Sequence, residues 1–194
     1  SLTVDLSSAT ATVTGSGTNA GNSDTVNGIE NFIGGAGNDS ITGTAAANAL
    51  TGGAGNDTLT GGRGQDTLTG GLGADVFDYN SATPIFTTLG DSGVGAGNRD
   101  IIKDFESGVD KLDFSGIDAN AGSGGNQAFS AITAAAGGSG GFTAAGQLHY
   151  FYETVAGQEY TVVEGNTGGF LGNAPDFQVA LVGHINLQVT DIVY

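Results

Sequence analysis

From residue 34 onward the chain repeats itself every nine residues. GGAGNDSIT occupies 34–42, GTAAANALT 43–51, GGAGNDTLT 52–60, GGRGQDTLT 61–69 and GGLGADVFD 70–78, without a slip. Four of these five units carry the full pattern G-G-x-G-x-D-x-U-x, where U is apolar. The first six residues of a unit must turn sharply, which glycine permits. The last three favour a short strand: Ser40-Ile41-Thr42, Thr58-Leu59-Thr60, Thr67-Leu68-Thr69, Val76-Phe77-Asp78. Position eight is always apolar (Ile41, Leu50, Leu59, Leu68, Phe77) and faces inward, while its neighbours face out. One strand per unit cannot bury its face alone, so the units must stack around a thin continuous core.

Stacking raises an electrostatic problem. Glycine supplies 37 of 194 residues, and 20 acids against four bases leave a net charge of −16. Ordering so much glycine is entropically costly, and apolar burial is modest. A cation that neutralises the acids and holds the turns resolves both difficulties. Position six is Asp39, Asp57, Asp66 and Asp75, and Asn48 in the degenerate unit. Two stacked turns would bring two Asp carboxylates and several backbone carbonyls around one ion. That all-oxygen donor set suits Ca2+, which takes six to eight oxygens. Solvated turn aspartates are the alternative for any single unit, but four in strict register with glycine favour calcium.

Other classes fall away. Without cysteine there is neither a disulfide scaffold nor a thiolate zinc site. The acidic surface disfavours nucleic acid. No apolar run is long enough for a membrane span. The opening SLTVDLSSAT lacks the regions of a signal peptide, so secretion would use another route or a signal outside this sequence.

Residues 1–33 read as the opening of the same stack. Leu2, Val4 and Leu6 alternate as a strand, 15–23 form a loop, and Phe32 falls in the apolar phase nine residues before Ile41. Asp24 and Glu30 are capping residues or additional ligands. After a connection over 79–98, Ile101, Phe105, Leu112 and Phe114 are core candidates, and Gly108 turns between two short strands. Lys103 and Lys111 would pair with local carboxylates. Residues 119–146 read as loop with one short helix at 127–136. Residues 147–164 form a hairpin turning at Gly157, and 177–183 and 184–194 supply the last strands. The class is all-β: a parallel β-roll over 1–78 continuing into a β-sandwich over 79–194.

Beyond the repeats, GGLGADVFDY, DIIKDFESGVDKLDFSGIDA, NQAF, GQLHY and PDFQVALVG make the chain resemble the C-terminal region of the serralysin-type secreted metalloproteases, within the wider repeats-in-toxin (RTX) group. In that family each coil contains two nonapeptides. The resemblance therefore implies that Asp39 faces Asp57, with carbonyls of Gly34, Ala36, Gly53 and Gly55. Asp57 then faces Asp75, with carbonyls of Gly52, Ala54, Gly71 and Gly73. On the other edge Asn48 weakens the site around Asp66, which needs a ligand from elsewhere. Asp104 and Asp110 are two further implied ligands, with Asp100 a weaker candidate. Local salt bridges to Lys103 and Lys111 are the alternative. No site is expected in 165–177, where Asp176 is the sole acid.

The resemblance also implies partners: a type I secretion apparatus that reads an uncleaved terminal signal, here Asp191-Ile192-Val193-Tyr194, and an upstream domain of the same polypeptide. The expected location is extracellular. The chain itself lacks H-E-x-x-H and G-x-S-x-G, and His149 and His184 stand alone, so it is read as non-catalytic. Two other readings stay open. A glycan-binding module would use Tyr79, Tyr150 and Tyr152 as stacking surfaces. A surface-layer or adhesin module would self-assemble through calcium.

Overall fold

The computed structural model describes residues 2–6, 11–15, 23–26, 29–80, 91–120, 127–134, 138–139, 141–168 and 174–194. Short strands dominate. In chain order they are β1 (Leu2–Asp5), β2 (Ala11–Gly15), β3 (Ser23–Val26), β4 (Asn31–Ala36), β5 (Ser40–Thr42), β6 (Ala49–Ala54), β7 (Thr58–Thr60), β8 (Thr67–Leu72) and β9 (Val76–Asp78). They continue as β10 (Asp100–Ile102), β11 (Lys111–Asp113), β12 (Thr133–Ala134), β13 (Gln147–Val155), β14 (Gln158–Asn166), β15 (Phe177–Val182) and β16 (Ile192–Val193). The described residues hold no α-helix, only a 3-10 turn at Val189–Asp191. Among the described residues no helix is long and apolar enough to cross a membrane.

Successive repeat strands alternate between two eight-stranded sheets. The first runs β16-β11-β9-β7-β5-β1-β2-β3, and the second β12-β13-β14-β15-β10-β8-β6-β4. Strands two units apart pair in parallel, Ser40 with Thr58 and Ala49 with Thr67. One coil is therefore two nonapeptides, and position eight builds two facing apolar columns. One is Val4, Ile41, Leu59, Phe77, Leu112 and Ile192; the other is Phe32, Leu50, Leu68, Ile102 and Leu181. All are buried except Phe32, which is half-buried at the open end. Each such side chain contributes about 1.5–3 kcal/mol on burial.

The stack does not stop at residue 78. Strands β10 and β11 add another coil, and Gly108 (φ 87) turns within the segment between them. β10 also pairs in parallel with β15, which joins the antiparallel β13–β14 hairpin. The second sheet thus runs unbroken from roll to hairpin. The two-residue turn at Ala156-Gly157 places both residues at positive φ, 51 and 86, as this hairpin class requires. Behind it, Phe114, Phe129 and Phe177 pack with ring centroids 5.1–6.5 Å apart.

Several sequence expectations shift. No helix forms over 127–134: residues 127–132 are irregular, and Thr133–Ala134 form β12 against β13, while 135–136 of the expected helix lie outside the described residues. Phe129 and Ile132 are both buried, and Ser130 N–H donates to the Gly146 carbonyl, which ties the segment to the hairpin. In β10 the core residue is Ile102 rather than Ile101, because Leu68 sets the register opposite Ile102. Only Ile192–Val193 of 184–194 is strand. The N-terminal segment enters the stack through β1, but β2 and β3 then turn back antiparallel. The 15–23 loop lies outside the described residues apart from its ends, as does the Asp24 side chain. Finally, the two edges differ. Along 43–48 and 61–66 the strand ends before position one; along 34–39, 52–57 and 70–75 it continues to position three. There Gly35, Gly53 and Gly71 stand directly above one another. With no Cβ between them, their backbones approach closely enough to keep the ladder.

Candidate metal sites

The position-six residues stand in two columns, one on each edge of the roll. On the first, the backbone N–H of Asp39 donates to Asp57 Oδ1 (2.7 Å), that of Asp57 to Asp75 (2.8 Å), and that of Asp75 to Asp110 (3.0 Å). Leu2 N–H caps the column on Asp39 Oδ1 at 2.7 Å. On the second, Asn48 N–H donates to Asp66 (2.7 Å) and Asp66 N–H to Asp100 (2.8 Å). Asp100 takes the position-six place although 34 residues, not 18, separate it from Asp66. The nine-residue phase ends at 78, so sequence spacing alone undervalued it.

The second carboxylate oxygen decides what these columns can do. Oδ2 of Asp39, Asp57, Asp66, Asp75 and Asp100 is buried with no hydrogen-bond partner. In the first four it points at the position-one glycine of its own unit, and a Cβ on Gly34, Gly52, Gly61 or Gly70 would overlap it. The glycine thus clears space for an anionic oxygen that the protein itself leaves unsatisfied. Such an oxygen is costly unless a cation completes it. Burial is the first cause raising the Asp57 and Asp75 carboxyls, followed by repulsion from the neighbouring acids. Asp66 is pushed up to about 7 by burial and by the Asp91 charge. Asp100 is raised well above the carboxylate range by burial and Asp66.

The second edge gathers groups that sequence reading missed. Burial first, then the charges of Asp100, Asp66 and Asp91, raise the phenol of Tyr79, whose hydroxyl faces Asp100. The acid that the fold brings beside Asp66 is Asp100, which accepts the Asp66 N–H, with the Asp91 charge nearby. The spacing of the repeats carried no signal for Asp91 or Tyr79. Buried Tyr79 cannot be a sugar-stacking surface.

Asp104 and Asp110 behave differently. Asp104 accepts Gly70 N–H (3.0 Å) and Gly71 N–H (2.8 Å) on its two oxygens. Asp110 accepts Asp75 N–H and, on Oδ2, Glu106 N–H at 2.8 Å. Neither pairs with a lysine: Lys111 donates to the Thr190 carbonyl (2.7 Å), and Arg99–Glu153 is the one ion pair among the described residues. Asn48 turns its side chain inward, accepting Thr44 N–H (2.6 Å) and donating to the Glu30 carbonyl (3.3 Å). Glu30 therefore caps this edge through its backbone. Asn38 and Asn56 form a further ladder: Asn38 Oδ1 accepts Asn56 N–H and Asn56 Oδ1 accepts Ala74 N–H. Asp176 closes its own loop by accepting Thr167 N–H and Oγ1–H.

Among the described residues no three His, Cys, Asp or Glu side chains converge on one metal position. A cation here would need backbone oxygen beside the carboxylates. On the first edge the carbonyls of Gly34, Ala36, Gly52, Gly53, Ala54, Gly55, Gly71 and Gly73 border the Asp39–Asp57–Asp75 column in sequence. Ala54 O already accepts Gly37 N–H but keeps a second lone pair. All-oxygen donors with paired negative charge fit Ca2+ rather than a soft metal.

Residues 24–59 and 42–77 match the profile of the RTX calcium-binding nonapeptide repeat (four copies). Residues 24–77 carry RTX calcium-binding repeats. RTX nonapeptides bind Ca2+, and the unsatisfied oxygens of Asp39, Asp57, Asp66 and Asp75 lie on turns of these repeats, while that of Asp100 lies beyond them. No curated protein matches the chain. Among solved structures, the R3 subunit of a mannuronan C5-epimerase from Azotobacter vinelandii is 25% identical, with a TM-score of 0.54 over 84% of this chain and 76% of that one. The R2 subunit is 26% identical, with a TM-score of 0.48 over 86% and 91%.

Proposed function

We propose that this RTX chain is a non-catalytic module whose fold is completed by calcium outside the cell, as part of a larger exported protein. The observation that carries the reading is the set of five buried carboxylate oxygens without partners, on Asp39, Asp57, Asp66, Asp75 and Asp100. Asp39/Asp57 and Asp57/Asp75 would each hold an ion with turn carbonyls from Gly34, Ala36, Gly53 and Gly55, and from Gly52, Ala54, Gly71 and Gly73. Asp66 and Asp100 would hold another on the opposite edge. Asp104 and Asp110 would complete the last turn of the first edge.

Calcium is scarce in cytosol, where the acidic glycine-rich chain would stay open enough for a type I channel. Outside, calcium approaches the ~10⁻⁴–10⁻³ M range that extracellular modules bind. Each ion bound only by the folded form adds RT ln(1 + [Ca]/Kd) to stability, so several weak sites together switch folding on. Titrating calcium into decalcified protein, followed by far-UV circular dichroism with ions counted by native mass spectrometry, tests this. A coil-to-β transition with several ions bound is expected; a chain fully β-structured in chelator would refute it. Export is tested separately, by secretion of the chain from cells expressing a three-component type I channel, with and without residues 188–194.

A second reading, that the module also contacts a saccharide, is supported by the likeness to a subunit of a polysaccharide epimerase and by an exposed tyrosine on the hairpin. Glycan-array binding in calcium is its test.

A further inference from the structure

The hairpin carries a feature that calcium chemistry does not use. Tyr152, Glu153, Thr154, Glu159 and His184 line an open cleft of ≈ 170 Å³. Tyr152 is 41% exposed, the one aromatic among the exposed large apolar side chains of the described residues. Its ring is held on several sides. The hydroxyl donates to the Ile185 carbonyl (3.3 Å), Tyr150 meets it edge-on with centroids 5.9 Å apart, and His184 lies nearly parallel at 3.6 Å. An aromatic plate fixed in this way and left to solvent offers a ready apolar face without further ordering cost.

The surroundings are polar in a particular sense. Thr154 stands opposite Glu159 in the hairpin register. It lies two residues from Tyr152, hence on the same face of the sheet. Glu153 faces the other way and is taken by Arg99. The cleft therefore presents an aromatic pair, a hydroxyl and one available carboxylate, with no basic side chain among its lining residues except His184. A sugar ring matches that set: its C–H face packs on an outer face of the Tyr152–His184 stack and its hydroxyls donate to the carboxylate. An anionic sugar does not match, because Glu159 would repel it and no lysine or arginine lines the cleft to pair with it.

We infer that this cleft is a binding site for an uncharged saccharide, with Tyr152 and His184 as the stacking platform and Glu159 as the hydroxyl acceptor. The inference rests on the saccharide reading above and gives it a place and a ligand class. The test is amide chemical-shift mapping of the calcium-saturated protein against uncharged gluco-, manno- and galacto-configured tetrasaccharides, with tetragalacturonate as the anionic comparison. Shifts at 152–154, 159 and 183–185 with an uncharged sugar are expected. Tyr152→Ala should weaken that binding about tenfold or more, the equivalent of one lost stacking contact, with an unchanged calcium count. Should Tyr152→Ala fail to fold, His184→Ala, at an exposed position, probes the same platform. Shifts confined to another surface overturn the cleft while leaving the saccharide reading standing. Silence with every sugar overturns both. A response to tetragalacturonate alone overturns the uncharged class.

Discussion

A single methyl group tests the turn geometry. Gly53 sits at φ 120, and a Cβ there would overlap the Gly35 carbonyl oxygen. Gly97 has ordinary φ and open space around it. Gly53→Ala should cost about 1–3 kcal/mol and shift the calcium midpoint of folding upward, whereas Gly97→Ala should leave it within error. Equal midpoints in calcium-titrated circular dichroism would show that the close stacking does not bear on folding. Protons offer a second probe. Asp66 is raised to about 7 by burial, and Asp57, Asp75, Asp100 and Asp110 shift the same way. A raised carboxyl means that the folded chain keeps a proton the unfolded chain has released. Stability of the calcium-free fold is therefore fully present below about pH 4 and falls as pH rises towards about 7. Decalcified protein should show more β-structure at pH 5 than at pH 7.5, and calcium should erase the difference. A decalcified fold that strengthens with pH would contradict this electrostatic account.

Among the elements, the coil and the hairpin make separate predictions. The second edge lacks one carboxylate because Asn48 stands where its neighbours have Asp, with its N–H already donating to Asp66. Asn48→Asp should supply the missing acid, and native mass spectrometry should count one more calcium ion; an unchanged count would mean that Thr44, Ala45 and Ala46 set the limit instead. In the hairpin, Ala156 holds φ 51 without the freedom of glycine. Ala156→Gly should raise the melting temperature in saturating calcium, corresponding to about 0.5–1 kcal/mol. Unequal outcomes were legible in advance for these two elements. The roll follows from position eight, since alternation and stacking leave Ile41, Leu50, Leu59, Leu68 and Phe77 nowhere to go but inward. The Ala156-Gly157 turn was legible from Gly157 between two alternating runs. The 127–136 segment was not: its alanines suit a helix locally, but buried Phe129 and Ile132 pin it to the hairpin, and local propensity loses to tertiary contact. Asp91 and Tyr79 were equally hidden, because they reach the second edge through the fold and not through the repeat.

Over the whole molecule, β10 lies between β8 of the roll and β15 of the hairpin sheet, and the Ser92 hydroxyl accepts Asp100 N–H while donating to the Gln178 carbonyl. Roll and hairpin share hydrogen bonds through one strand, so they should melt together. A thermal scan in calcium is expected to give a single transition, coincident by far-UV signal and tyrosine fluorescence. Two resolved transitions would show that the shared strand does not couple them.

The 34-residue step from Asp66 to Asp100 has a consequence for how such a chain can change over generations. The column admits 16 residues more than its usual 18-residue step and resumes with its alignment intact. Position is counted by what stacks on what, not by chain length. Insertions and deletions in the connection between β9 and β10 are thus shielded from every later coil, and that connection is where lineages of the module are free to diverge in length, or an engineer to splice in a foreign peptide.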